Sequence, residues 1–235
     1  MARNSPYQLS RNDLENILFS DNSDVRSRFR EEFADLIGEF LNASERACRR
    51  LRTFTSAVKT DRRSAWTESF LFYAFNSSLT SCHLFISGFP IPAGNLMRHY
   101  GEAAAMALLC SHHAIDVVKR LDKDLEKFPV DDALQLARKK RNAELLKINS
   151  NAWKDLEDIT KWFNKYSHSS VFSIATLWMF SKPSTFIVGS GFDEDKKESY
   201  RRQLQLRVSS MTVLPEIIGA VERNVRTAQA KGLMH

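Results

Sequence analysis

Residues Ser23–Phe54 read SDVRSRFREEFADLIGEFLNASERACRRLRTF. Apolar side chains fall at Val25, Phe29, Phe33, Leu36, Ile37, Phe40, Leu41 and Leu51. Steps of three and four put them on one stripe, so this stretch predicts one long amphipathic helix. Asp21 or Ser23 can cap its start. Such a stripe is stable only when other helices cover it, and the rest of the chain has the pattern to do so.

A second helix is expected over about Ser64–Ser87. Trp66, Phe70, Leu71, Phe72, Tyr73, Phe75, Leu79, Leu84, Phe85 and Ile86 make it apolar on nearly all sides, which suits the middle of a bundle. GFPIPAG then ends it, because Pro90 and Pro92 cannot continue a helix and Gly88 suits its C-terminal end. A third helix is expected in NLMRHYGEAAAMALLCSHHAIDVVKRL, where Gly101 and Ala103–Ala105 allow another helix to approach closely. Pro129 breaks the chain, and Asp131 or Asp132 starts a polar helix, DDALQLARKKRNAELLKI. Trp153, Leu156, Ile159 (or Thr160) and Phe163 stripe the next one. An apolar helix, VFSIATLWMF, follows, capped by Ser169 or Ser170. TFIV is the one strand-like run. The last helix, about Asp195–Gln229, contains Pro215, which should kink or split it.

The chain is therefore read as all-α: a single antiparallel helical bundle of about seven to nine helices. One domain spans 1–235, with a core bundle at about 22–181 and C-terminal helices at about 195–231 packed on it. Composition agrees. Of 235 residues only 8 are Gly and 6 Pro, below the usual share of about 7% and 5%. Sixteen Phe and four Trp imply a core of large rings. The three cysteines, Cys48, Cys82 and Cys110, are too widely spaced for a metal cluster and suit free thiols. The opening MARNSPYQLSRNDLENIL has no apolar signal region, and no run of about 18 apolar residues exists. A cytoplasmic protein away from membranes is expected.

The net charge of +6 is uneven. RACRRLRTFTSAVKTDRR, Arg46–Arg63, holds seven Lys and Arg against one Asp. Arg49, Arg50, Arg52, Arg62 and Arg63 are candidate contacts to RNA or phosphate, although basic helix faces also serve solubility alone.

WFNKYSHSS, Trp162–Ser170, sits between a polar and an apolar helix. His168 titrates near neutral pH and suits general acid/base work. Asn164 and Lys161 precede it by about one and two turns and can hold a phosphate beside it. The plainer reading is a polar junction whose side chains satisfy helix ends. In RHYGEAAAM, Arg98 and Glu102 share a helix face and can clamp the bundle or organise the junction. Metal is not expected: His99 and Glu102, or His112 and Asp116, are too few ligands, and no paired Glu-x-x-His motif exists. No phosphate loop, nucleophile elbow or dinucleotide fingerprint is present, so no cofactor is expected.

LMRHYGEAAAM followed by WFNKYSHSS resembles bacterial helical proteins related to the HEPN superfamily, over roughly Ser64–Phe180. The resemblance implies a helical bundle that often dimerises, works at a helix interface, and belongs to phage-defence or toxin-type systems. Active HEPN ribonucleases are metal-independent and carry an Arg, a polar residue and a His four to six residues beyond the Arg. Only the His is matched, at His168; Asn164 stands as the polar member and Lys161 where an Arg would be.

Two functions follow. The favoured one is a non-enzymatic interaction or regulatory component, acting as a homodimer or on an RNA or protein partner. The alternative is a metal-independent endoribonuclease with His168 as acid/base, Asn164 and Lys161 on the phosphate, and Arg98–Glu102 in support.

Overall fold

The computed structural model describes residues 9–123, 132–166, 171–182 and 185–233. The eleven α-helices among them are α1 (Arg11–Phe19), α2 (Ser23–Glu32), α3 (Ala34–Ala57), α4 (Arg62–Ile86), α5 (Pro90–Ser111), α6 (Val117–Lys123), α7 (Ala133–Arg138), α8 (Lys140–Leu146), α9 (Ser150–Phe163), α10 (Val171–Leu177) and α11 (Lys197–Ala230). Two short strands, β1 (Trp178–Met179) and β2 (Thr185–Phe186), pair antiparallel with Trp178 opposite Phe186. All-α is the fold class.

The helices are more numerous than the sequence suggested, because three expected helices are divided and α1, capped by Ser10, was not expected. The first breaks at Phe33, whose backbone leaves helical geometry at φ −130°, ψ 35°. Phe33 is fully buried there against Phe29, with ring centroids 5.9 Å apart, so core packing holds the break. The third helix ends at Ser111, and the chain turns through His112–Asp116 before α6. The polar helix after Pro129 divides at Lys139 into α7 and α8. Pro129, Asp131, Ser169 and Ser170 lie outside the described residues.

Side-chain caps form at some helix starts only: the cap position of the first long helix is Asn22, not Asp21 or Ser23, and neither Asn22 nor Asp132 makes a side-chain cap bond. Asp61 caps α4 by accepting from the Ser64 amide at 2.9 Å, while Ser64 Oγ accepts from the Asp61 amide at 2.8 Å. Gly88 takes φ +82° after α4, which suits its lack of a Cβ. Pro90 does not keep the chain out of the next helix. It is the first residue of α5, where a missing N–H costs nothing. The third helix therefore starts five residues earlier than expected.

The middle of the fold is α5, not α4. Every residue from Tyr100 to Ser111 is buried, whereas α4 leaves Phe72, Tyr73 and Leu79 exposed. Small side chains explain this. A Cβ on Gly94 would lie 2.4 Å from the Tyr166 ring, and one on Gly101 2.0 Å from Thr160 Oγ1. The expected close approach of a helix at Gly101 is thus met by α9.

Pro215 does not split α11, which runs through it. Val213, Leu214, Ile217 and Ile218 are all buried around it. Burial of about 1.5–3 kcal/mol per side chain outweighs the roughly 3 kcal/mol cost of an internal proline. Two neighbour pairs depart from the expected antiparallel order. Tyr100 meets Ser210 and Ser111 meets Asn224, so α5 and α11 run parallel. Arg201 meets Asp35, Arg50 meets Glu222, and Gln229 meets Lys59, so α3 and α11 run parallel. The long intervening chain makes that possible, since only short loops force neighbours to be antiparallel.

Candidate functional site

The WFNKYSHSS junction begins where α9 ends. Asn164 caps α9, and Asn164–Tyr166 form one turn of 3-10 helix. Phe163 and Tyr166 turn inward, with ring centroids 5.9 Å apart. Lys161, Asn164 and Lys165 face solvent. Lys165 Nζ stands 4.3 Å from the Trp162 ring centroid. His168 lies outside the described residues.

Arg98 and Glu102 do form an ion pair, with Nε 2.6 Å from Oε1. The Arg98 side chain is 26% exposed and that of Glu102 6%, so the carboxylate is the sunken partner. His99 Nδ1 approaches the other Glu102 oxygen at 3.8 Å. Gly94 and Gly101 both press against the end of α9 and its turn. At about 100° per residue, Arg98 lies between them within about 60°. Arg98 therefore lies near the face of α5 that meets α9 and its turn, with Glu102 about 80–100° to the side.

Beneath the junction lies a residue that sequence reasoning missed. Arg207 of α11 is 0% exposed. Its Nε donates to Ser81 Oγ at 3.0 Å and its Nη1 to the Gln203 carbonyl at 3.0 Å. Its guanidinium sits 4.2 Å from the Phe85 ring centroid and 5.0 Å from that of Phe163. Nη2 has no hydrogen-bond partner among the described residues. Burial pulls its pKa down to about 10, against the opposing pull of Cys82 and Tyr166, so it stays charged at neutral pH. Burial also pushes the Cys82 thiol up to about 11.

Arg207 anchors a polar network inside the core. Ser81 Oγ donates to the Ala93 carbonyl at 2.7 Å, and Tyr100 donates to the Ser210 carbonyl at 2.7 Å. Ser210 Oγ donates to the Arg207 carbonyl, so Ser78, 2.7 Å away, must donate to Ser210. The sequence carried two signals of this. Ser78 and Ser81 interrupt the apolar run of α4. Arg207 falls on the stripe of Tyr200, Leu204, Met211, Leu214 and Ile218, where an apolar residue is the norm.

The expected basic face is largely engaged by the protein itself. Arg63 is corrected outright: it is 5% exposed, and its Nη1 donates to the carbonyls of Cys110 at 2.7 Å and His112 at 3.2 Å. It caps the C-terminal end of α5 rather than facing a phosphate, because those carbonyls have no partner within the helix. Arg50 pairs with Glu222 at 2.7 Å, Arg62 with Asp122 at 2.7 Å, and Arg49 stands 3.7 Å from Glu45. Arg52 is exposed.

Comparison with protein-family models, curated proteins and solved structures finds no significant match.

The other notable surface surrounds α10. Val171, Ile174, Trp178 and Phe180 are exposed, Val171 at 84% and Phe180 at 54%. This segment is firmly pinned. Lys196 Nζ donates to the carbonyls of Ala175 at 3.3 Å and Thr176 at 2.8 Å, and also to that of Trp178. Buried Asp193 accepts from the amides of Phe180 at 2.6 Å and Ser181 at 3.3 Å. Burial alone would raise its pKa, but the amide donors outweigh that and hold it below the usual carboxylate value. Among the described residues no three His, Cys, Asp or Glu side chains converge as metal ligands, and no helix is long and apolar enough to cross a membrane.

Proposed function

We propose that this chain is a non-enzymatic, HEPN-related helical-bundle protein of a bacterial defence or toxin-type system, and that α10 with the β1–β2 hairpin is its contact face. The exposed apolar row from Val171 to Phe180 carries this reading. Large apolar side chains held outward by Lys196 and Asp193 are costly to leave in water and are covered on association. The occupant is a second copy of this chain, in line with the dimers that the HEPN resemblance implies.

The test is light scattering after gel filtration, from about 1 to 100 μM, a range that brackets ordinary dimer affinities. Wild type is expected to dimerise, and Ile174→Glu with Trp178→Glu to be monomeric with unchanged helix content. A wild-type monomer throughout that range overturns the second-copy reading.

A second reading, the metal-independent endoribonuclease, draws support from Arg98, held by Glu102 near the α5 face that meets α9 and its turn. His168 would act as acid/base, with Asn164 and Lys161 toward the phosphate. RNA cleavage that survives a chelator and disappears in His168→Ala is its expected signature. Equal activity in both proteins, or none in either, removes it.

A further inference from the structure

A cleft of about 480 Å³ lies between the turn after α5, the end of α8 and the last turns of α11. His112, His113, Lys147, Arg223 and Lys231 line it, against one carboxylate, Glu144. The volume falls within the range of small-molecule pockets, about 300–1,000 Å³. Among the described residues, Lys147, Arg223 and Lys231 take part in no ion pair.

Helix ends account for only part of this gathering. Cations near a helix C-terminus offset its partial negative charge, and α5, α8 and α11 all end close by. Yet the end of α5 is already met by Arg63. The end of α11 is met by the backbone amides of Lys231, Gly232 and Leu233. Arg223 lies two turns before the end of α11, beyond the last turn over which that end's partial charge acts. The side-chain charge thus exceeds what the helix ends require.

His112 registers that excess. Its ring stacks on His113 at 4.9 Å, 21° between planes. Partial burial lowers its pKa first, and His113, Arg63, Lys147 and Lys231 lower it further. Arg223 and Glu144 complete the charged groups that face it across the cleft.

We propose that this cleft binds a phosphate-bearing small molecule and that His112 takes up a proton at Nδ1 as the anion enters, giving up the 3.3 Å bond that it accepts from the Ala114 amide. Lys147, Arg223 and Lys231 supply point charges to the phosphate oxygens, and the paired imidazoles close the inner wall. The bound anion offsets the cations that disfavour imidazolium, so the His112 pKa rises on binding. Protonation of His112 therefore favours binding as pH falls, against the loss of charge on the phosphate itself, whose second pKa is about 6. The proposal is independent of the contact face on α10.

Imidazole resonances followed by NMR provide the test, with inorganic pyrophosphate, adenosine 5′-monophosphate and adenosine as probes. Both phosphates are expected to shift His112 and His113 and to raise the His112 pKa, while adenosine does neither. A tighter response to the monophosphate than to pyrophosphate assigns an organic ester; the reverse assigns an inorganic anion. Lys147→Asn with Lys231→Gln is expected to weaken binding at least about tenfold, since charge-assisted hydrogen bonds are lost. Asn suits position 147 because Lys147 takes φ +46°. No shift at millimolar phosphate, or equal affinity in wild type and the folded double variant, overturns the proposal. Binding only to a long RNA, with no response to either small phosphate, overturns it as well.

Discussion

Gly101 on α5 lies so close to Thr160 on α9 that a Cβ there would sit 2.0 Å from Thr160 Oγ1 and 3.0 Å from its Cβ. The contact sets the spacing between α9 and α5, the helix that carries the Arg98–Glu102 pair. Gly101→Ala is expected to cost about 1–3 kcal/mol by overpacking, despite alanine's better helix propensity. Urea unfolding measures the loss. Adding Thr160→Ala removes the nearer clash but not the Cβ contact, so it should restore part of the stability. Additive losses in the double variant would show that the two helices do not meet as described.

Arg207 separates stability from purpose. Arg207→Ala empties a buried volume and removes two hydrogen bonds, so a loss of about 3 kcal/mol or more is expected. Arg207→Met keeps most of the volume and removes the charge. Replacing a buried charge by an apolar side chain is often neutral or better, so the Met variant should stay within about 1.5 kcal/mol of wild type. A Met variant as damaged as the Ala variant would place the hydrogen bonds to Ser81 and Gln203 ahead of packing.

Asp193 gives an acid limb to the stability of the hairpin region. Its pKa in the fold lies below the unfolded value near 3.9. Its contribution is therefore present above about pH 4 and is lost as pH falls through the lower folded value. Asp193→Asn should reduce stability at pH 7 and flatten the dependence below about pH 4, with the two proteins converging in acid. Chemical unfolding at stepped pH reads this out. Parallel curves with an unchanged gap would exclude Asp193 as the group responsible.

Arg63 should act as a cap and not as a ligand group. Arg63→Ala leaves the Cys110 and His112 carbonyls short of a donor and is expected to cost about 1–3 kcal/mol. Amide exchange should quicken first in the last turn of α5. An undiminished fold with weakened RNA binding would reverse this assignment.

Much of the helical content was legible because period-3.6 stripes are explicit in the chain, as in Leu36–Phe40–Ala43–Ala47 of α3. The break at Phe33 was not. Its cause is a ring packed against Phe29, a tertiary effect that local pattern cannot carry. Pro90 misled because a proline stops one helix and starts another with equal ease, and only the position of Gly88 decides between them. The Arg98–Glu102 pair was legible from its spacing of four. Arg207 was visible as an anomaly on a stripe, but its partners Ser81, Phe85 and Phe163 are distant in sequence. The charges around His112 come from four separate segments, so no local motif announces them.

The parallel run of α11 beside α3 bears on how the chain reaches its native state. Antiparallel α4 and α5 are joined at Gly88 and can pair as soon as both exist. The bonds that close the interior arrive from much farther along: Tyr100 to Ser210 spans 110 residues, and Arg207 to Ser81 spans 126. Loop-closure entropy must be met before such contacts reward it, so docking of the last helix is the slow step of folding. During biosynthesis the α4–α5 hairpin would wait with the Arg207 and Tyr200 side of Phe85 uncovered, and α11 would complete the interior as a wedge completes an arch.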